Sequence, residues 1–323
     1  MELLRKARVT TLDENEHMDA ERYVKRHGLD EQQPLNFTLF RQRERFYKHN
    51  PHDLSEAINL AELSNNESRV AKLSLVDAKL SVYQVKCIPG LFLLPGYLNR
   101  EEQKQLLTNV FRDELNLKNK NSLSAVYELP AETFCELVTK HSSSHALSLK
   151  RRDRNDEITH SLEEWMRKIR WINLGVYYDW NTKSYAPESE PLAFTHVQNL
   201  SRRVCADVGL SIEPEAGIIN FYQLKDSLTG HIDRYEKDMS TPLVSFSVGN
   251  SCVFLMGGAG RDDPVTPIVL NSGDALILGK ECRRFYHGVP KILDYSTETF
   301  EEEFEFAYLI KNARININVR QVN

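Results

Sequence analysis

The second half of this chain alternates short strand-like runs with turn signals, and that texture limits its fold more than any other feature. From about Trp171 onward, runs rich in β-branched and aromatic residues recur at strand length: Gly217-Ile-Ile-Asn-Phe-Tyr222, Leu243-Val-Ser-Phe-Ser-Val248, Cys252-Val-Phe-Leu-Met256 and Ala275-Leu-Ile-Leu278. Gly249-Asn250, Gly257-Gly258 and Ser272-Gly273-Asp274 separate them, and such residues reach the backbone angles that tight turns need. Arg314-Ile-Asn-Ile-Asn-Val-Arg320 alternates polar and apolar throughout. Side chains on a strand point to opposite faces in turn. Arg314, Asn316 and Arg320 therefore share one face, and Ile315, Ile317 and Val319 the other. Many short strands joined by tight turns indicate a sandwich or a jelly-roll barrel.

The first half has a different pattern. Residues 1–35 are charged and weakly periodic and are expected to form a weakly ordered segment. Residues 36–170 are expected to be mostly helical. Asn36 can cap a helix with Phe37, Phe40 and Tyr47 on one face and Arg41, Arg43, Arg45 and Lys48 on the other. Asn99 and Glu102 have capping-box spacing before a helix that buries Leu106, Leu107, Val110 and Phe111. Further helical patterns cover about 130–141, 157–168 and 191–207. The expectation is an α+β chain, with a helical N-terminal region packed on a double-sheet β core at 171–323.

Composition excludes several classes. No window approaches the roughly 18 consecutive apolar residues of a membrane-spanning helix. Net charge is −5, unlike a wholly basic nucleic-acid binder. Residues 294–305 hold six acids and no base, so the rest of the chain carries net +1 and leaves room for a modest basic groove. The five cysteines, Cys87, Cys135, Cys205, Cys252 and Cys282, include no Cys-x-x-Cys pair. That argues against a disulfide framework or a structural zinc site and for a reducing compartment. Asp13, Glu14 and Glu16 near the start count against a transit peptide, and no apolar signal core is visible. An intracellular monomer is expected, with nucleus, cytoplasm and mitochondrion all open.

His-x-Asp occurs twice, at His17-Met-Asp19 and His231-Ile-Asp233. The first lies in a charged stretch of helical character, where positions i and i+2 diverge. The second follows a strong strand, where i and i+2 share a face and can grip one ion. His287, after the strand at 275–279, is the best candidate for a third ligand. Two histidines and a carboxylate on one face of an ion leave positions open and suit non-haem Fe(II) and O2 chemistry. Arg-x5-Arg occurs once, at Arg314 and Arg320. Guanidinium binds carboxylate through two parallel charge-assisted bonds, and Asn220 and Tyr222 share a face that can add neutral ones.

Asn220-Phe-Tyr222, His231-Ile-Asp233, His287 and Arg314-x-Asn316-x-x-x-Arg320, in this order, resemble the AlkB family of Fe(II)/2-oxoglutarate dioxygenases. Gly175-Val-Tyr-Tyr-Asp-Trp-Asn-Thr-Lys-Ser-Tyr185, Ala216–Tyr222, Pro242-Leu-Val-Ser-Phe-Ser247 and the segment 313–322 resemble its AlkB homologue 1 subgroup. The likeness covers roughly 36–323. It implies a double-stranded β-helix (jelly-roll) domain at 171–323, with His231, Asp233 and His287 binding Fe(II). It further implies 2-oxoglutarate held by Arg314 and Arg320 at its two carboxylates, assisted by Asn220, Tyr222 and Asn316. The implied reaction consumes O2, releases succinate and CO2, and hydroxylates a base methyl group that leaves as formaldehyde.

A methylated base must be unpaired or flipped to reach a buried metal. Tyr177, Trp180 and Tyr185 are the candidate stacking residues, among Tyr178 and Lys183. Arg234 and Glu236, beside the metal motif, are candidate base contacts. Arg151 and Arg152, in Lys150-Arg-Arg-Asp-Arg154, and the basic face at 41–48 are candidate phosphate contacts. Bacterial AlkB carries an acid two residues after the ligand aspartate, and here Tyr235 stands there. The subgroup is associated with N1-methyladenine and 5-methylcytosine derivatives in tRNA and with N6-methyladenine in DNA, and the sequence leaves these open. The alternative is a 2-oxoglutarate-dependent hydroxylase or demethylase of a protein substrate.

Overall fold

Alternation along the central strands sets the layering, because each sends one row of side chains to either side of a sheet. The computed structural model describes residues 37–65, 68–73, 81–114, 121–132, 134–142, 144–179, 182–185, 194–294 and 313–323. The chain divides into Met1–Thr38 and Leu39–Asn323, and every described strand and helix lies in the second unit. The segment 1–35, the capping position Asn36, Trp180 and the acidic stretch after Asp294 lie outside the described residues.

In chain order the strands are β1 Val70–Leu73, β2 Val82–Val85, β3 Leu91–Leu94, β4 Tyr127–Glu128, β5 Ala146–Arg151, β6 Glu157–Ser161, β7 Trp171–Gly175, β8 Tyr178–Asp179 and β9 Ser184–Tyr185. They continue as β10 Ala216–Gln223, β11 Leu228–His231, β12 Leu243–Gly249, β13 Cys252–Met256, β14 Thr266–Leu270, β15 Ala275–Leu278, β16 His287–Ile292 and β17 Ala313–Arg320. The helices are α1 Leu39–His49, α2 Arg100–Asn109, α3 Phe134–Lys140, α4 Leu162–Lys168 and α5 Thr195–Asp207.

An eight-stranded sheet runs β1-β2-β3-β15-β12-β17-β10-β7, and a four-stranded sheet runs β11-β16-β13-β14. Every pairing in both is antiparallel. Tyr222, Leu243 and Leu276 of the large sheet pack with Phe254, Ile268 and Val289 of the small one, which makes a core between the sheets. The other face of the large sheet sends Ile219, Phe246, Ile315, Ile317 and Val319 into a second core with Leu106, Trp165 and Val197 of α2, α4 and α5. The outer face of the small sheet is covered by Phe40 and Tyr47 of α1. The molecule is thus a mixed chain dominated by antiparallel sheets, with a few helices outside them.

The β17 alternation and the α2 capping box are present as the sequence indicates: Asn99 accepts from Glu102 N, and Asn99 N donates to Glu102. The mostly helical reading of 36–170 is corrected. β1, β2 and β3 extend the large sheet itself, and β4–β6 form a sheet of three. Leu91-Phe-Leu-Leu94 is buried at all four positions, and an apolar run without alternation does not distinguish a fully buried strand from a helix turn. The pattern at 157–168 is half strand, because Ser161 and Glu164 form a second capping box that starts α4 only at Leu162. Residues 36–170 and 171–323 therefore do not separate into two layers.

Candidate metal and co-substrate site

β11 and β16 pair so that His231 lies directly opposite His287. Their rings are 4.5 Å apart between centroids. Asp233 follows two residues after His231, and ligand atoms of all three residues lie within 4.8 Å of one another. His231 Nε2 is 3.6 Å from Asp233 Oδ1, and His287 Nε2 is 3.9 Å from Asp233 Oδ2. Each imidazole is held by the carbonyl two residues before it: Nδ1 of His231 donates to Thr229 O at 2.9 Å, and Nδ1 of His287 to Phe285 O at 3.1 Å. A carbonyl only accepts, so the proton sits on Nδ1 and both Nε2 lone pairs face the shared point. Burial, with His231 adding to it, pushes the His287 imidazole down to about 4, so it is neutral at pH 7.

Helix α1 supports this strand from outside. Gly230 N donates to Glu44 Oε1 at 2.5 Å, and the Phe40 ring lies so close that a Cβ on Gly230 would approach it to 2.4 Å. Only glycine allows the helix that near to the residue beside His231.

The two arginines of β17 have different surroundings. Arg320 Nη2 is 3.3 Å from Asp233 Oδ2, and its Nη1 is 3.0 Å from Glu236 Oε1. Burial pushes the Asp233 carboxyl up, but Arg320, His287, His231 and Arg283 together outweigh it and hold it well below the usual carboxylate range. Arg314, 1% exposed, donates from Nη2 to Ser247 Oγ at 3.0 Å and lies over the Tyr222 ring at 5.5 Å. Its Nε and Nη1 are buried donors with no hydrogen-bond partner among the described residues. Buried donors are normally satisfied, so this end of β17 suits a carboxylate guest.

Arg320, the second arginine expected to hold 2-oxoglutarate, lies here among protein carboxylates. Asp233 and Glu236 engage both of its terminal nitrogens, and only Nε lacks a partner. Asn316 is opposite Asn220 on β10 and Ser247 on β12. Its amide nitrogen is taken by Ser245 Oγ at 2.7 Å and Phe246 O at 3.2 Å, which ties β17 to β12. Tyr222 is buried beside Arg314.

A cavity of about 410 Å³ opens beside His231 and Asp233, lined also by Tyr178, Tyr185, Asn220, Arg234, Tyr235 and Tyr286. Tyr178 takes the place expected of Tyr177, which does not line it. Gly175 turns with φ +62° just before β8, and a slip of one residue exchanges the faces of a strand. Tyr185 lines the cavity, but its hydroxyl donates to Glu236 Oε1 at 3.1 Å. Glu236 is itself an inner carboxylate, its side chain 1% exposed, and so part of the charge network under the cavity. Arg234 is exposed and lies over the Tyr235 ring.

The basic candidates are mostly engaged with protein. Arg151 makes two bonds to Asp153, and Arg152 donates to Ser124 O and Tyr127 O. Neither lines the cavity. On α1, Arg45 is buried, Arg41 pairs with Glu44 and Arg43 with Glu56. The sequence reading missed Ser247, whose only signal was its position on the Arg314 side of β12. It also missed Arg283, which sits in a short turn at Lys280–Arg284 that reads as solvated charge.

Comparison with known proteins agrees with this geometry. Residues 90–320 match the 2OG-Fe(II) oxygenase superfamily. The chain is 31% identical to the tRNA demethylase abh1 of Schizosaccharomyces pombe, over 88% of this chain and 95% of that protein. It is also 31% identical to the DNA N(6)-methyladenine demethylase ALKBH1A of Arabidopsis thaliana, over 84% of this chain and 88% of that protein. Among solved structures, that of OsALKBH1 superimposes with a TM-score of 0.52 at 20% identity, over 74% of this chain and 99% of that one. The chain therefore belongs to the 2OG-Fe(II) oxygenase superfamily and, within it, to the AlkB homologue 1 group.

Proposed function

We propose that this protein demethylates bases in nucleic acid, using Fe(II), 2-oxoglutarate and O2. The observation that carries the reading is the convergence of His231, Asp233 and His287 within 4.8 Å, beside a cavity wide enough to admit a base. Two imidazoles with Nδ1 pinned and one carboxylate kept ionised form a donor set suited to Fe(II). In such enzymes the metal supplies the oxidation of the methyl group, coupled to decarboxylation of 2-oxoglutarate to succinate. Loss of the hydroxylated carbon as formaldehyde completes the demethylation.

The chain's own residues would do the placing. Arg314, with Tyr222 and Asn220 on the neighbouring strand, is the anchor for one carboxylate of the co-substrate. Its two unpartnered donors support that role over the same role for Arg320. Two facing sheets, with the site between strands of both, agree with reading the core as a double-stranded β-helix. Tyr178, Tyr235 and Arg234 at the cavity mouth offer flat surfaces against which an extruded base can stack.

Candidate substrates are methylated tRNA and DNA carrying N6-methyladenine, the nucleic acids named for the two relatives, with N1-methyladenine as the tRNA base that the subgroup resemblance implies and unpaired DNA as the form that can reach a buried metal. The test is mass spectrometry of nucleosides after incubation with total tRNA and, separately, with methylated single-stranded DNA. Loss of a methylated nucleoside that requires Fe(II) and 2-oxoglutarate is expected in at least one. No loss in either would favour a protein substrate.

A further inference from the structure

Asp233 belongs to a closed ring of four charged residues that holds it at both ends. Its Oδ2 meets Arg320 Nη2 at 3.3 Å, Arg320 Nη1 meets Glu236 Oε1 at 3.0 Å, and Glu236 Oε2 meets Arg283 Nη2 at 3.3 Å. Arg283 Nη1 then donates to the main-chain oxygen of Asp233 at 2.9 Å, which closes the ring on the residue where it began. We infer that Arg283, acting through Glu236 and the Asp233 carbonyl, is a positioning residue that aims the Asp233 carboxylate at the metal. The inference rests on reading His231, Asp233 and His287 as metal ligands.

Two arguments support a positioning role over simple stabilisation. First, the side chains of Arg283 and Glu236 are each 1% exposed. A buried ion pair often adds no net stability over an apolar pair of the same volume, so stability alone does not account for two such charges here. Second, the ring solves a problem that Arg320 creates. A guanidinium 3.3 Å from a metal ligand competes with the metal for the same carboxylate. Glu236 draws the other nitrogen of Arg320 away from Asp233, and Arg283 keeps Glu236 in place. Arg283 also fixes the backbone two bonds from the Asp233 side chain, and hydrogen bonds that orient ligands commonly change metal affinity 10–100-fold.

The test is Mn(II) binding to the full chain, followed by electron paramagnetic resonance of free Mn(II), with folding of the metal-free protein checked by circular dichroism. Arg283→Met is expected to weaken Mn(II) binding about 10–100-fold. Because that variant leaves Glu236 with one buried partner fewer, the deciding protein is Arg283→Met combined with Glu236→Gln, which removes both charges at nearly constant volume. The inference predicts that this folded double variant still binds Mn(II) at least about tenfold more weakly than wild type. Binding equal to wild type in the double variant would overturn the inference alone. Failure of the wild-type protein to bind Mn(II), or unchanged binding in Asp233→Ala, would overturn the metal reading and the inference with it.

Discussion

The two ends of β17 carry the same residue type on the same face, six positions apart, and their surroundings differ. At one end Arg314 is buried against Ser247 and Tyr222 with Nε and Nη1 unpartnered. At the other, Arg320 is engaged by Asp233 and Glu236. A guanidinium with satisfied terminal nitrogens organises the protein, whereas one with buried unused donors is suited to bind an anion. Residue type and spacing alone make the two look equivalent, and only their partners tell them apart.

The largest effect expected from breaking this comparison is at the Arg320 end. Arg320→Met takes from the Asp233 carboxylate its guanidinium partner and leaves Glu236 with only Arg283 and the Tyr185 hydroxyl, which costs about 3–5 kcal/mol of folding stability. Denaturant unfolding of the metal-free protein measures this, and a loss below about 1 kcal/mol would deny Arg320 its bracing role. Next comes Arg314→Lys. It keeps the charge but loses the two-pronged geometry, and is expected to raise the KM for 2-oxoglutarate about 10–100-fold, equivalent to roughly 1.5–3 kcal/mol, with Mn(II) affinity unchanged. The reverse pattern, with metal binding lost and KM kept, would exchange the roles of the two arginines.

Ser247→Ala should act in the same direction as Arg314→Lys but more weakly. It removes one hydrogen bond that orients the guanidinium, worth about 0.5–1.5 kcal/mol, so KM should rise about 2- to 12-fold. A smaller effect concerns pH. Burial raises the Asp274 carboxyl to about 6, opposed by the Asn271 and Gly96 N–H groups and by Arg314. A carboxyl with a folded value above its unfolded one binds more protons in the folded state, so stability from this group is full below 3.8 and is lost as pH rises through about 6. Without Arg314 the Asp274 value should rise further and extend that fall to higher pH. Unfolding curves of Arg314→Met from pH 4 to 7 check this, and an unchanged pH slope would remove the coupling.

Much of this site was legible in the sequence because strand periodicity is local. His231 and Asp233 converge as their spacing suggests, although β11 ends at His231, and the β17 alternation separates Arg314, Asn316 and Arg320 from Ile315, Ile317 and Val319 in space. His287 is a candidate only together with the His-x-Asp motif, the paired arginines and the family resemblance, because a lone histidine after a strand is more often a packing residue. The partners of Arg320 were not legible, since Glu236 is 84 residues away in sequence and its burial depends on Tyr185, Arg283 and Arg320 arriving together. Tyr177 and Tyr178 were interchanged because β8 is only two residues long and follows an irregular turn. Leu91–Leu94 shows the same limit in the fold, because a run buried on both faces carries no periodicity to read.

The most direct test of the whole account is Fe(II)-dependent conversion of 2-oxoglutarate to succinate, measured side by side in the wild-type protein and in Asp233→Ala. The account predicts turnover in the wild type that disappears in the variant while circular dichroism shows the fold retained. Succinate formation at the wild-type rate in a folded Asp233→Ala protein would contradict it.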